Sequence, residues 1–174
     1  MPSPSMARPD ASEHAPYYGK YIQLVPEMDI VRVMTLQIEK TLGFLRALRN
    51  SAGDKRYAPD KWTIKEVVGH LSDSERVFAQ RALFFARSIP IPLPSFEQEI
   101  AVAAAGSDDV SWARHVEEFA AVRTATTAFF RDLPDAAWSR KGIASGNPFT
   151  VRAFAWIAAG HVEHHIGVLK DRYL

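Results

Sequence analysis

The 174-residue chain contains no cysteine. That excludes disulfides, thiolate-ligated zinc and a cysteine nucleophile, so any thiol chemistry must use a thiol brought from outside. No apolar run reaches the about 20 residues that cross a bilayer as a helix. Charge of one sign is also missing: 21 basic and 20 acidic residues leave a formal +1, and no Lys/Arg run offers the footprint of a nucleic-acid binder. Met1 to Pro16, rich in Pro, Ser and Ala, lacks the apolar segment of a signal peptide; it is expected to be a flexible leader within which Met6 is an alternative start. The cytoplasm is the default location. Strands are absent from the expectation too, since no stretch alternates convincingly.

What is present is helical periodicity. At 47% hydrophobic and 24% charged, the chain has the composition of a globular domain, expected over residues 17–174. The aromatic segment Tyr17 to Ile22 is expected to pack on the outside of the body or on a partner subunit. Ile30, Met34, Ile38, Leu42, Leu45 and Leu48 place a first helix from Pro26 to about Arg49. Thr63-Ile64-Lys65-Glu66 matches a capping box and opens a second helix that Pro90, Pro92 and Pro94 terminate after about Arg87. A short helix is expected within 95–105. A third long helix spans Asp109 to Arg131, a loop covers Leu133 to Pro148, and Thr150 caps a last helix to about Tyr173. Four long amphipathic helices make an all-α four-helix bundle.

Three of the six histidines fall in five consecutive positions of the last helix, His161-Val162-Glu163-His164-His165. Positions i and i+4 share a helix face, so His161 and His165 can aim two imidazoles at one point, half of a metal site. His70, at the edge of the apolar stripe of helix two, is the candidate third ligand. His164 stands at i+3 from His161 and is the alternative to His165. His70 lies about 10 Å from the start of its helix and His165 about 12 Å from the end of its own, so the two meet most easily if these helices are antiparallel. That demands a crossover, for which the connection Ser88 to Asp108 is long enough, and an up-down-down-up order.

The stretches Trp62-Thr63-Ile64-Lys65-Glu66-Val67-Val68-Gly69-His70-Leu71 and His161-Val162-Glu163-His164-His165, with Pro92 to Glu99 and Ala144 to Pro148, resemble the DinB/YfiT-like family of metal-binding four-helix proteins. The resemblance implies a divalent metal on His70, His161 and His165, the same crossed bundle, and a homodimer. Relatives of this kind include transferases and isomerases that use low-molecular-weight thiols.

Three neutral imidazoles would leave a divalent ion, zinc or nickel foremost, its full charge and an open position. Such an ion deprotonates a coordinated thiol outright and lowers the pKa of bound water to about 7. Thiol S-transfer to a small electrophile is expected ahead of hydrolysis, because Glu163, about 200° around the helix from His161, cannot serve as the base. A metal-stabilised dimer that binds a small ligand without catalysis is the remaining alternative. His115 could line the pocket, although a partly exposed helix position is expected. Glu66, Asp73 and Ser74 are candidates to orient His70. Arg140 and Lys141 are expected in a solvated loop away from the site, and His14 in the leader.

Overall fold

A computed structural model describes residues 6–174. Four long helices dominate: α2, Ile30–Ala47; α3, Ile64–Ala86; α5, Trp112–Arg131; and α7, Val151–Val168, which runs on through a π-helical turn, Leu169–Tyr173. Each begins on a side-chain cap. The Asp29 carboxylate accepts from Arg32 N, and the Ser111 and Thr150 hydroxyls accept from Arg114 N and Ala153 N. At Thr63 the capping box is complete, with Glu66 N donating to Thr63 Oγ1 at 3.0 Å and Thr63 N donating to Glu66 Oε2 at 2.6 Å. Caps of this type contribute about 1 kcal/mol each. The first long helix therefore starts at its aspartate rather than at Pro26.

Short helices α1, Gly19–Ile22, α4, Gln98–Ala104, and α6, Asp135–Trp138, fill the connections. At the end of α3, Ser88 takes φ 55° while Ile89 N donates to Phe84 O and Ser88 N to Phe85 O, a Schellman closure on a non-glycine residue. No helix among the described residues is long and apolar enough to cross a membrane.

The expected loop after α5 holds a hairpin instead. Strands β1, Lys141–Ala144, and β2, Asn147–Thr150, pair antiparallel with Ala144 opposite Asn147. Ser145 and Gly146, at φ 50° and 72°, make the two-residue turn whose left-handed backbone suits the twist of such a pair. Arg140, expected in a solvated loop, is half-buried and donates to Ala86 O.

Residues 1–5 of the expected leader lie outside the described residues, and the rest of it is not free of the body. Trp156 Nε1 donates to Met6 O at 3.1 Å, Arg8 donates to Ile22 O and Val25 O, and Glu13 accepts from Arg152 and Thr150. The ties run both ways: Trp156, Thr150 and Arg152 find acceptors in 6–16, and Arg8 finds its own at Ile22 and Val25.

The apolar core falls into two clusters. One gathers Ile30, Met34, Phe85, Phe130, Trp138 and Phe154; the other gathers Leu42, Leu45, Ile64, Leu71, Phe119 and Ile166. Between them lies a polar level. Arg123 on α5, 1% exposed, donates to Glu75 on α3, to the Gln37 side chain on α2 and to Ala158 O on α7. Gln37 Nε2 in turn donates to Ala159 O and to Glu163 Oε1, both at 2.9 Å.

Tyr17 to Ile22 packs on the body with Tyr17 exposed, and its far end goes deeper than the outside. Tyr21 and Ile22 are buried, and the Tyr21 backbone crosses α7 at Gly160, where an added Cβ would stand 2.0 Å from Tyr21 O. Backbone on both sides leaves nothing flexible to yield. Gly160→Ala is expected to cost about 2–3 kcal/mol in urea denaturation, at the upper end of overpacking substitutions; a change under about 0.5 kcal/mol would show that the crossing yields readily.

Candidate metal centre

The spacing that put His161 and His165 on one face of α7 does so in the folded chain, and the start of α3 lies beside them. His161 Nε2 stands 3.1 Å from His70 Nε2 and 3.1 Å from His165 Nε2. One ring nitrogen from each of the three falls within 4.8 Å of the others, and the group includes no carboxylate. Ring nitrogens about 2.0–2.1 Å from a tetrahedral zinc lie about 3.3 Å apart, so the donor set fits a divalent ion without rearrangement of the helices.

The surroundings hold the rings in place. Trp62 packs on His70 with ring centroids 4.8 Å apart, and the Tyr173 hydroxyl fixes that tryptophan by donating to Trp62 O at 2.7 Å. Ser74 Oγ lies 3.3 Å from His70 Nδ1 and 3.4 Å from its Nε2, so the hydroxyl braces one edge of the ring without selecting a tautomer. Tyr21 meets the His161 ring edge-on at 5.3 Å and the His164 ring at 5.2 Å. His164 is thus outside the cluster, packed on a tyrosine.

Burial keeps these imidazoles neutral. It pushes His70 down to about 4, and burial together with His70 and His164 pushes His165 down to about 3. Burial first, then the neighbouring rings, hold His161 well below its ordinary 6.5. A neutral ring is the form that binds metal.

A pH dependence follows for metal-free protein. Below 6.5 the unfolded chain protonates its histidines while the fold resists, so the unfolded state binds more protons and stability falls with pH. For His70 the loss runs from 6.5 to about 4, at about 1.4 kcal/mol per pH unit. Urea denaturation between pH 7.5 and 4.5 should show this contribution added to those of His161 and His165, and His70→Ala should lessen the slope without abolishing it; equal slopes in both chains would mean that His70 contributes nothing.

Glu66 is spent on its cap and an ion pair with Arg56, Asp73 pairs with Arg76, and neither reaches the histidines. Glu163 faces Gln37, away from the cluster. His115 is buried rather than partly exposed, and it sits behind α3: its Nε2 is 2.9 Å from Ser107 O and its ring is 3.7 Å from where a Gly69 Cβ would be. His14 is also buried, with its ring beside Gly19.

Sequence reasoning missed the cavity that adjoins the centre. It encloses about 210 Å³ and is bordered by Tyr18, Tyr21, Ser74, Phe78, Arg81 and His161, among others. The signal was available: Ser74, Phe78 and Arg81 continue the His70 line by further helical turns. A substrate-sized space open to one of the clustered rings is what a reactive centre needs and a closed structural ion does not.

Solved structures place this arrangement in context. The chain superposes on YfiT from Bacillus subtilis, described as "a probable metal-dependent hydrolase with an unusual four-helix bundle topology", with TM-score 0.67 and 19% identity over 94% of this chain and 89% of that one. It also superposes on a mycothiol-dependent maleylpyruvate isomerase, TM-score 0.68 at 13% identity, covering 83% of this chain but only 61% of the isomerase. At such identities the likeness speaks for the fold. No curated protein matches the chain. The family model of the DinB superfamily matches residues 34–169, a span that takes in the four long helices almost entirely and all three clustered histidines, and the chain is a member of that superfamily.

Proposed function

We propose that this protein is a metal-dependent enzyme in which His70, His161 and His165 hold one divalent transition metal, zinc or nickel, and a low-molecular-weight thiol is activated there for S-transfer to a small electrophile. The observation that carries the reading is the convergence of three neutral imidazole nitrogens beside a cavity, with no carboxylate among them. A bound ion would supply the positive charge that converts a thiol to its thiolate near neutral pH. The protein's own part is to hold and shield. Ser74 and Trp62 brace His70, Tyr21 covers His161, and Phe78 and the tyrosines line the cavity beside it. No general base is needed from the chain, which agrees with Glu163 being turned toward Gln37. The likeness to a mycothiol-dependent isomerase is in keeping with a thiol co-substrate.

We read the bundle as up-down-down-up. Supporting this, His70 meets His161 while Phe85 meets Phe154, so α3 and α7 oppose, whereas Glu75 meets Arg123 and Gly69 lies by His115, so α3 and α5 run together.

The likeness to YfiT favours a second reading, hydrolysis of a small substrate. One experiment separates them. Metal-loaded protein is offered chlorodinitrobenzene with a panel of thiols including mycothiol and glutathione, and separately activated esters without thiol. Thioether formation about a hundredfold above the His161→Ala variant supports S-transfer. Ester cleavage without thioether supports hydrolysis, and neither reaction from fully loaded protein removes both.

A further inference from the structure

Arg81 is as deeply placed as Arg123, at 3% against 1% exposure, yet the two differ in one respect. Arg123 meets the carboxylate of Glu75, with Nη2 2.7 Å from Oε2. Arg81 has no ion pair among the described residues. Its Nη2 donates to Pro94 O at 2.7 Å and to Ser145 Oγ at 3.0 Å, both neutral acceptors. A guanidinium carries five N–H donors and remains charged in any protein environment. Buried charges without a counter-charge are costly, and proteins hold them where one is supplied. The Tyr18 hydroxyl beside it is a neutral partner too, and Arg81 borders the cavity that His161 also borders. Glu97 on the same cavity is exposed and makes no ion pair with it.

We propose that Arg81 anchors the carboxylate of the substrate, so that the electrophile this protein takes is a small carboxylate-bearing compound spanning the cavity from Arg81 toward His161. Size and spacing fit. About 210 Å³ is below the about 300–1,000 Å³ of pockets for drug-sized ligands. Ser74, which touches His70, and Arg81 lie seven residues apart on α3, about 10 Å of helix rise, a distance suited to a short compound with its anion at one end and its reactive carbon at the other. The planar guanidinium matches carboxylate oxygens. Beside it the Tyr18 hydroxyl, whose pKa burial raises against the opposing pull of Arg81, stays protonated and can donate as well. Arg81 also ties the connection at Pro94 to the hairpin turn at Ser145, so the same side chain that meets the anion sets the cavity wall.

The inference rests on the metal-centre reading only for which end reacts, and its test does not use activity. Metal-free protein is titrated with crotonate, with its neutral counterpart crotonamide, and with inorganic phosphate, following ligand NMR line widths. Metal content after reloading is measured on the same preparations. Crotonate should bind at least about tenfold more tightly than crotonamide, Arg81→Gln should erase that preference, and Arg81→Lys should reduce it several-fold. A purely structural role for Arg81 would weaken both compounds equally and leave their ratio unchanged, which would overturn the proposal. So would equal binding of crotonate and crotonamide to the parent chain, a result that decides even if Arg81→Gln does not fold. Phosphate displacing crotonate more effectively than crotonate itself binds would make this a phosphate site and refute the carboxylate assignment. Crotonate preference in a protein that takes up no metal leaves the anchor standing and removes the metal reading; metal uptake without crotonate preference does the reverse.

Discussion

His70→Ala and His161→Ala are each expected to reduce bound transition metal from near one equivalent to none, measured by plasma mass spectrometry on purified protein. His161 Nε2 is the shared member of both 3.1 Å contacts, so its removal leaves two rings on different helices with nothing between them. Removing His70 leaves a single i, i+4 pair, short of the three protein ligands such sites use. The helices should persist in both variants, because the apolar clusters on either side of the centre are untouched. Added zinc or nickel should raise the melting temperature of the parent and not of the variants, since only a ligand that binds the folded state stabilises it. His164→Ala is expected to retain the ion, its ring being packed on Tyr21. Loss of metal on removing His164 but not His165 would overturn the assignment.

The second large effect lies at the polar level. Arg123→Met is expected to destabilise the fold by about 3–5 kcal/mol, because it leaves the carboxylate of Glu75, 2% exposed, buried without its cation and Gln37 without its donor. Burial already pushes the Glu75 carboxyl upward against the pull of Arg123, so without the guanidinium it would take up a proton. Replacing both partners, Arg123→Met with Glu75→Met, should recover most of the loss, since two well-packed apolar side chains can substitute for a buried pair. Urea denaturation of the four chains in a double-mutant cycle measures this. Additive losses would show that the two residues act separately.

The histidine centre was legible in the sequence because its geometry is mostly local. An i, i+4 pair on α7 needs no knowledge of the fold, and the capping box that starts α3 fixes the helical face on which His70 sits. The parts that were not legible depend on contacts between distant segments. Nothing near Tyr21 announces that its backbone will cross Gly160; Arg123 does fall on the apolar line of α5 with Trp112, Val116, Phe119 and Phe130, but its partners Glu75 and Gln37 are brought by helices that pack from elsewhere in the chain. The hairpin is a different case. Ser145-Gly146 is a usable turn signal, but the flanking strands of four residues are too short to show alternation. Arg81 escapes such a reading because it lies two turns beyond Ser74 on the His70 face, where a basic residue late in a helix reads as solvated.

The arrangement around Arg123 has a consequence for assembly of the bundle. Amphipathic helices of 18 to 23 residues can slide past one another by a turn, about 5.4 Å, and still bury oily faces. Here one guanidinium must find Glu75 on α3, Gln37 on α2 and a carbonyl of α7 at a single height. A one-turn slip of any helix would strand a charge in oil, so the side chain works as a latch that admits one alignment. That alignment is the one in which His70 arrives opposite His161.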